Sequence, residues 1–109
     1  MDHKVGNTIG RVRIRGIAQN GARVTVIGKI IIDKKAQGVE DFLDMRVLIL
    51  DEKSQATAEP QLEIEANNVK ASHAATVGQI DEEQLFYLES RGLDKKRAEG
   101  LIVEGFLKL

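Results

Sequence analysis

The feature that most constrains this chain is the even spacing of its short apolar segments. Alternation of apolar and polar residues, typical of strands with one buried face, recurs from Gly10 to Ala66. The clearest segments are centred on Ile14, Ile31, Leu48 and Ile64, at steps of 17, 17 and 16 residues. Weaker segments lie between them, near Val24, Glu40, Ala56 and Ala71. Two kinds of strand alternating at a constant step are typical of a β-solenoid, in which each coil covers the apolar side of its neighbour.

The same spacing also describes an antiparallel meander or sandwich, because short strands at regular intervals occur in both. Periodicity alone therefore leaves these alternatives open. We expect the polar residues 1–9, including His3, to be frayed. We also expect a polar loop from Asp51 to Glu59, which ends at Pro60, the only proline.

The apolar period changes from that of a strand to that of a helix after Gly78. Asp81 is a favourable N-cap, and Gln84 stands three residues later, where it can complete a capping box. Ile80 and Leu85 match a hydrophobic staple around this cap. These signals predict that a helix begins at Asp81.

A second helix is predicted from about Asp94 to Lys108, since apolar residues recur there at helical spacing. Gly92 is placed to end the first helix, and the link to the second is short, so the two helices form a hairpin. The predicted organisation is β-helix coils over residues 1–78, with a frayed N-terminus, and a helical hairpin over residues 79–109, together one compact unit.

Composition excludes several classes of function. The chain carries 16 basic and 17 acidic residues, a net charge of −1, which gives no bulk attraction for nucleic acid or an acidic membrane. It has no cysteine, so it supplies no disulfide, thiolate metal ligand or cysteine nucleophile. Its apolar runs are too short to span a bilayer, and no signal peptide is visible. We expect a cytoplasmic protein with neither nucleic acid nor membrane as a partner.

Motifs of catalysis are also missing. The sequence has no phosphate-binding G-x-x-x-x-G-K-[ST] loop, so the chain is not itself an ATPase. It offers one credible histidine and no nucleophile elbow, so no Ser–His–Asp triad is supported. A carbohydrate- or nucleotide-acting β-helix enzyme is disfavoured because paired acids and aromatic platforms are missing. We therefore predict that the chain is not an enzyme.

An ordered series of short motifs runs through the second half of the chain. They are Pro60-Gln61-Leu62-Glu63-Ile64, Val69-Lys70, Ser72-His73, Ala75-Thr76-Val77-Gly78, Asp81-Glu82, Leu85-Phe86-Tyr87-Leu88 and Ser90-Arg91-Gly92-Leu93. With the flanking sequence from about Gly28 to Phe106, they resemble the C-terminal part of the SufB/SufD family of iron–sulfur cluster assembly proteins. Family members are normally several times longer. The resemblance implies a right-handed parallel β-helix followed by a helical region, which favours the solenoid.

The resemblance also implies partners. A SufB-like and a SufD-like subunit pair through their β-helix ends, and their helices dock a cytosolic ABC-type ATPase, SufC. ATP-driven dimerisation of the ATPases is transmitted through these helices to the interface where the nascent cluster forms. The residues at the corresponding docking positions are Leu85, Phe86, Tyr87, Ser90, Arg91 and Gly92. Leu85 and Leu88 share one helix face and are expected to pack inward, which leaves Phe86 and Tyr87 for a partner.

His73 is the candidate metal ligand that the resemblance implies, at a subunit interface. The family often reads K-C-S-H-G-A-T where this chain has Lys70-Ala71-Ser72-His73-Ala74-Ala75-Thr76. Ala74 stands where the SufB branch carries Glu, so the chain resembles the SufD branch more closely. Without the thiolate that Ala71 replaces, the chain binds no cofactor alone, and a transient iron–sulfur cluster must use a partner's cysteines. The alternative is a surface histidine that never meets metal, because no second ligand lies at metal spacing.

Two classes of function follow. The first is a non-catalytic subunit, or C-terminal fragment, of an iron–sulfur cluster assembly scaffold that docks an ABC-type ATPase. The second is a free-standing β-solenoid module that oligomerises and handles no cluster. An open solenoid end exposes unpaired strand edges, so we expect the isolated chain to form a homo-oligomer in either case.

Overall fold

The computed structural model describes residues 1–108, and it is mainly β with two helices at the C-terminal end. The strands are β1 (Asp2–His3), β2 (Ile9–Ala18), β3 (Arg23–Ile32), β4 (Val39–Ile49), β5 (Gln55–Ile64) and β6 (Val69–Gln79). The helices are α1 (Glu82–Ser90) and α2 (Lys95–Leu107). The mainly β class and the two helices predicted from the sequence are confirmed. Leu109, the last residue of the predicted hairpin range, lies outside the described residues.

The strands form two parallel sheets of three strands each. The first sheet has the order β1-β3-β5, and the second has the order β2-β4-β6. Consecutive strands therefore alternate between the sheets, and each pairs in parallel with the strand two before it. Hairpin-linked neighbours would run antiparallel within one sheet. The antiparallel meander or sandwich is therefore wrong for this chain.

One coil of the chain crosses both sheets once, and its length in residues is about twice the step predicted from the apolar spacing. The register shows this directly, because Val39 pairs with Val69 in one sheet and Arg23 pairs with Gln55 in the other. The strong and weak segments of the sequence thus join into longer strands, of which β3 and β4 are examples. The loop predicted from Asp51 to Glu59 is confirmed only as far as Ser54, because β5 begins at Gln55 and pairs with β3 along its length.

The core lies between the two sheets and consists of aliphatic side chains. Its largest fully buried members are Ile30, Ile32, Val39, Leu43 and Met45. Gly28 faces the same interior from β3. A Cβ atom at Gly28 would lie 2.9 Å from both Leu43 Cδ2 and Met45 Sδ, so the ends of these two side chains pack directly over the glycine. The absence of a side chain at this position makes room for the side chains of Leu43 and Met45.

The predicted fraying of the N-terminus is wrong at residues 2 and 3. Both residues pair with β3, and the His3 side chain is buried. Its ring contacts the buried carboxylate of Asp41, with 2.5 Å between Nε2 and Oδ2, and lies 2.9 Å from the Thr8 hydroxyl through Nδ1. Sequence reasoning missed this pairing because the partner of His3 lies far along the chain, on β4.

The helices begin where the sequence predicts. The Asp81 carboxylate accepts hydrogen bonds from the backbone N–H groups of Glu83 and Gln84, and Asp94 accepts one from Arg97. Gly92 has φ +95°, the left-handed conformation that glycine adopts most readily after a helix. Among residues 1–108, no helix is long and apolar enough to cross a membrane.

Asp44 is the centre of a charged network on the outer face of the second sheet. Its carboxylate is nearly buried and accepts hydrogen bonds from Arg15 at 3.0 Å and from Arg46 at 3.3 Å. Burial raises the pKa of Asp44, but the hydrogen bonds and positive charges of Arg15 and Arg46 together outweigh it. The pKa of Asp44 therefore lies below its ordinary value.

Substituting Gly28 tests the packing of the Leu43 and Met45 side chains over β3. Gly28→Ala should lower the free energy of unfolding by about 1–3 kcal/mol, because the added methyl group overpacks the core against Leu43 and Met45. Gly78→Ala is the matched control, since a Cβ atom there meets nothing within 4 Å, and its change should stay within about 0.5 kcal/mol. Urea unfolding measures both. Equal midpoints for the two variants would contradict the packing described.

Substituting Asp44 tests the charged network through its pH dependence. Because folding lowers the pKa of Asp44, the carboxylate contributes stability above its unfolded pKa of about 3.9 and loses it as the pH falls through the folded value. Asp44→Asn should therefore cost about 1–3 kcal/mol at pH 7, and this difference from the wild type should shrink below about pH 4. Asp2→Asn, at a more exposed carboxylate, is the control and should change the stability by less at pH 7 in the same urea unfolding experiments.

Candidate functional site

His73 lies on β6, the last strand of the second sheet. In the parallel register it pairs with Leu43, whose side chain is buried between the sheets. Paired residues of parallel strands direct their side chains to the same face of the sheet. The His73 side chain therefore points to the interior, yet it is exposed, because no further strand of the described chain follows β6 in that sheet.

The residue that faces His73 across the interior follows from the same register. Gly28 approaches Leu43 between the sheets, as described above. One coil later, Pro60 takes the place of Gly28 and His73 takes the place of Leu43. Pro60 and His73 thus lie at equivalent positions on β5 and β6, on opposite sides of the open end of the stack.

Apolar side chains surround this open end. Leu62, Ile64 and Val77 occupy inward positions but remain 37–43% exposed, because no further coil covers them. Ala71 and Ala75 flank His73 on its own strand. The open end therefore consists of one imidazole within a largely aliphatic surface, a composition suited to contact with another protein.

The backbone of β6 is also available at the open end. The N–H of Ile80 donates to the carbonyl of Ile49 at 3.0 Å, so even-numbered residues of this strand bond to β4. Because alternate residues of a strand direct their N–H and C=O groups to opposite sides, the odd-numbered residues direct theirs to the free edge. They are Val69, Ala71, His73, Ala75 and Val77. This row can pair with a strand of another chain.

The chain provides no complete metal site of its own. Within the described part of the chain, no group of three or more His, Cys, Asp or Glu side chains is placed to hold a metal ion. His73 can supply one imidazole ligand, and any further ligands must come from another molecule. The role of His73 as a cluster ligand remains a prediction.

The predicted docking residues divide into packed and exposed ones. Leu85 is only 5% exposed and packs within the protein, whereas Phe86 and Tyr87 are 72% and 55% exposed. The Arg91 guanidinium lies 5.0 Å from the centre of the Tyr87 ring, in the range of a cation–π contact. The Ser90 hydroxyl donates to the Tyr87 carbonyl at 2.6 Å. This geometry orders the surface around Tyr87, and Gly92 ends the helix beside it; docking itself remains a prediction.

An acidic groove beside the helices has a structural explanation. It is lined in part by Asp51, Glu52 and Glu82. The Asp51 carboxylate accepts hydrogen bonds from the backbone N–H groups of Asn20, Lys53 and Ser54 and from the Ser54 hydroxyl. The Ser54 hydroxyl and these N–H groups lower the pKa of Asp51. Asp51 thus joins two turns of neighbouring coils, and both of its carboxylate oxygens already accept hydrogen bonds within the protein.

Comparison with known proteins agrees with this fold. The model of the SUF system FeS cluster assembly, SufBD core domain, family matches residues 1–106. An iron–sulfur cluster assembly SufBD family protein of Staphylococcus haemolyticus is 36% identical over 108 residues, which is 99% of this chain and 23% of that protein. The iron–sulfur cluster assembly protein SufB of Bacillus subtilis matches with the same identity and coverage.

The chain therefore spans about a quarter of the length of the curated relatives it matches. Because one of them is named SufB, the closer likeness to the SufD branch remains a prediction. The family match runs through both sheets and nearly to the end of α2. On this evidence, the chain belongs to the SufBD core-domain family of iron–sulfur cluster assembly.

Proposed function

We propose that this chain is a non-catalytic part of an iron–sulfur cluster assembly scaffold and acts through contacts with other subunits. The observation that carries the proposal is the coincidence of His73 with the unpaired edge of β6 at one open end. We infer further that the two sheets coil as a right-handed parallel β-helix, since crossovers between parallel strands are right-handed in about 98% of cases. The lack of cysteine fits a reducing compartment, so we propose that the chain acts in the cytoplasm.

The partner at the open end is a second SufBD-type subunit that carries cysteine, of the SufB-like kind. Another copy of this chain could pair at the same edge, but it has no cysteine and could not complete a cluster site. The free groups of β6 are arranged symmetrically about His73, so an antiparallel partner strand can be centred there. Directly opposed residues in such a hydrogen-bonded pair have Cα atoms about 5.5 Å apart. The His73 imidazole and a thiolate of the partner would then be close enough to share one iron.

The cluster is the cargo of this interface rather than a resident cofactor. Iron–sulfur clusters are mostly held by cysteine thiolates, and histidine replaces cysteine in some of them. This chain contributes the imidazole and the aliphatic surroundings, which keep water away from the ligands. The partner contributes the thiolates.

The second partner is an ABC-type ATPase of the SufC kind, docked on α1. Exposed aromatic side chains are frequent anchors of protein interfaces, and Phe86 and Tyr87 are the exposed aromatics of this helix. Leu85 packs the same helix into the protein. A force applied by the ATPase to Phe86 and Tyr87 would therefore pass to the body of the protein through α1.

A free-standing oligomerisation module is the second candidate function. It is favoured by one observation, that no group of three or more His, Cys, Asp or Glu side chains in residues 1–108 is placed to hold a metal ion. Such a module would use the same edge of β6 for self-association but would capture no ATPase. The next experiment separates the two candidates.

Capture of a purified SufC-type ATPase by the immobilised chain tests the docking role. Phe86→Ala combined with Tyr87→Ala should weaken capture by about 30-fold or more, as expected for loss of an interface anchor worth about 2 kcal/mol. The thermal midpoint should stay unchanged because both side chains are exposed. Leu101→Ala, at an exposed position of α2, is the control and should bind normally. Failure of the unmutated chain to bind would favour the oligomerisation module.

Cluster reconstitution in a complex with a SufB-like partner tests His73. His73→Ala should lower the bound iron and the visible absorbance of the cluster, because one ligand is lost, whereas His73→Cys should retain part of both. Ser72→Ala is the matched control, since Ser72 lies next to His73 on the opposite face of β6. Normal reconstitution by His73→Ala would remove His73 from the set of ligands.

A further inference from the structure

The outer face of the second sheet carries more basic than acidic side chains. On β4 the odd-numbered residues from Val39 to Val47 are all buried, so the even-numbered ones point outward. Their partners on β2 and β6 point outward with them, because paired residues of parallel strands share a face. The outward basic residues are Arg11, Arg13, Arg15, Arg46 and Lys70, and the outward acidic residues are Glu40 and Asp44. We call this surface the basic face.

The first sheet shows no such excess on its outer side. Ile30 and Ile32 of β3 are buried, so the odd-numbered residues of that strand point outward. The outward charged residues of this sheet are Asp2, Arg23, Lys29, Glu59 and Glu63. Because the whole chain has a net charge of −1, the positive excess of the basic face is balanced by negative charge elsewhere. The small overall charge therefore does not describe this face.

Two arginines of the basic face have no acidic partner. Asp44 already binds Arg15 and Arg46. In the part of the chain that the structure describes, Arg11 and Arg13 form no ion pair with a carboxylate, and both are exposed. Their guanidinium groups are thus available to carboxylates of another molecule.

Apolar side chains lie beside these arginines. Phe42, which pairs with Arg11 in the register, is 38% exposed, and Ile9 is 74% exposed. With Lys70 and Ser72 they line an open groove across the three strands. Arginine and aromatic residues are both enriched at protein interfaces. The composition therefore suits a partner that offers acidic and apolar side chains together.

The order of residues along β2 specifies the form of this partner. Ile9, Arg11 and Arg13 are alternate residues of one strand, so they follow one another at intervals of about 6.6 Å on the same face. An extended peptide places its own alternate side chains at the same interval. It can therefore set an apolar residue over Ile9 and acidic residues over both arginines. Nucleic acid fits less well, because the negative remainder of the chain repels a long polyanion.

We propose that the basic face binds an extended acidic segment of a partner protein. Carboxylates at alternate residues of the segment pair with Arg11 and Arg13, and an apolar residue packs against Ile9 and Phe42. This site uses neither the free edge of β6 nor α1, so the proposal goes beyond the proposed function and does not depend on it. Complementary charge of this kind speeds association and selects the partner.

Titration of the isotope-labelled chain with synthetic peptides, followed by NMR at 50 mM salt, tests the proposal. One peptide is valine-threonine followed by four glutamate-threonine repeats. Its isomer is valine-threonine followed by two repeats of glutamate-glutamate-threonine-threonine, which places only every fourth residue of a face as an acid. The alternating peptide should shift amide signals of the basic face and bind about threefold or more tighter than the isomer, because only it can engage both arginines.

Paired substitutions separate this site from an effect of net charge. Arg11→Gln combined with Arg13→Gln should weaken binding of the alternating peptide by about fivefold or more, as expected for the loss of two exposed ion pairs. Arg23→Gln combined with Lys29→Gln removes the same charge from the other sheet and should change binding by less than about twofold. Arg11→Lys combined with Arg13→Lys keeps the charge and should retain most of the binding.

Circular dichroism establishes that each variant folds, which is expected because the substituted side chains lie on the outer faces of the sheets. Equal affinity for the two peptides overturns the proposal, as does the absence of saturable binding or equal weakening by the two glutamine pairs. Tighter binding of a ten-nucleotide oligo(dT) than of the alternating peptide would assign the face to nucleic acid instead. Capture of the ATPase, which uses α1, tests the proposed function separately from these outcomes.

Discussion

Parallel pairing between each strand and the strand two before it in the chain is the interaction on which the rest of the structure depends. It stacks equivalent residues of successive coils in one register, so an inward position in one coil is inward in the next. Leu43 and His73 form one such pair, and Gly28 and Pro60 form another. A buried aliphatic residue in one coil thus predicts the direction of a histidine in the following coil.

This register also explains why the candidate functional groups lie at the end of the stack. Within the stack, inward positions are covered on both sides and are filled by aliphatic residues such as Ile30 and Met45. In the last coil the same positions are covered on one side only, so Leu62, Val77 and His73 are exposed without having left the inner face. The unpaired backbone of β6 lies at the same end. A single incomplete coil therefore provides apolar contact area, pairing groups and one metal-binding side chain together.

Three polar contacts in and on the sheets join neighbouring coils. His3 of β1 contacts Asp41 of β4, Arg15 of β2 binds Asp44 of β4, and Asp51 accepts from Asn20 in a turn of the neighbouring coil. Each contact joins groups that are distant in the sequence, as the coil length requires. These contacts stabilise the stack where the small aliphatic core alone gives little margin.

Local sequence was sufficient for features whose physical cause is local. Alternation of apolar residues placed strands, and Asp81, Asp94 and Gly92 placed the helix ends, because N-caps and left-handed glycines act within a few residues. The family was recognisable from the motifs around His73 and Tyr87, because a sequence motif can be recognised without knowing which residues are its neighbours in space.

Tertiary structure decided everything that depends on which strands are neighbours. The regular apolar step did not reveal that a coil takes two steps, because both sheets bury one face and leave the same pattern in the sequence. The ordered N-terminus was missed because Asp41, the partner of His3, lies on a distant strand. Pro60 looked like the end of a loop, since a proline fits a strand only at an edge, and edges are set by pairing between distant segments. Sequence determined where strands and helices begin, and long-range pairing determined which residues are exposed at the open end.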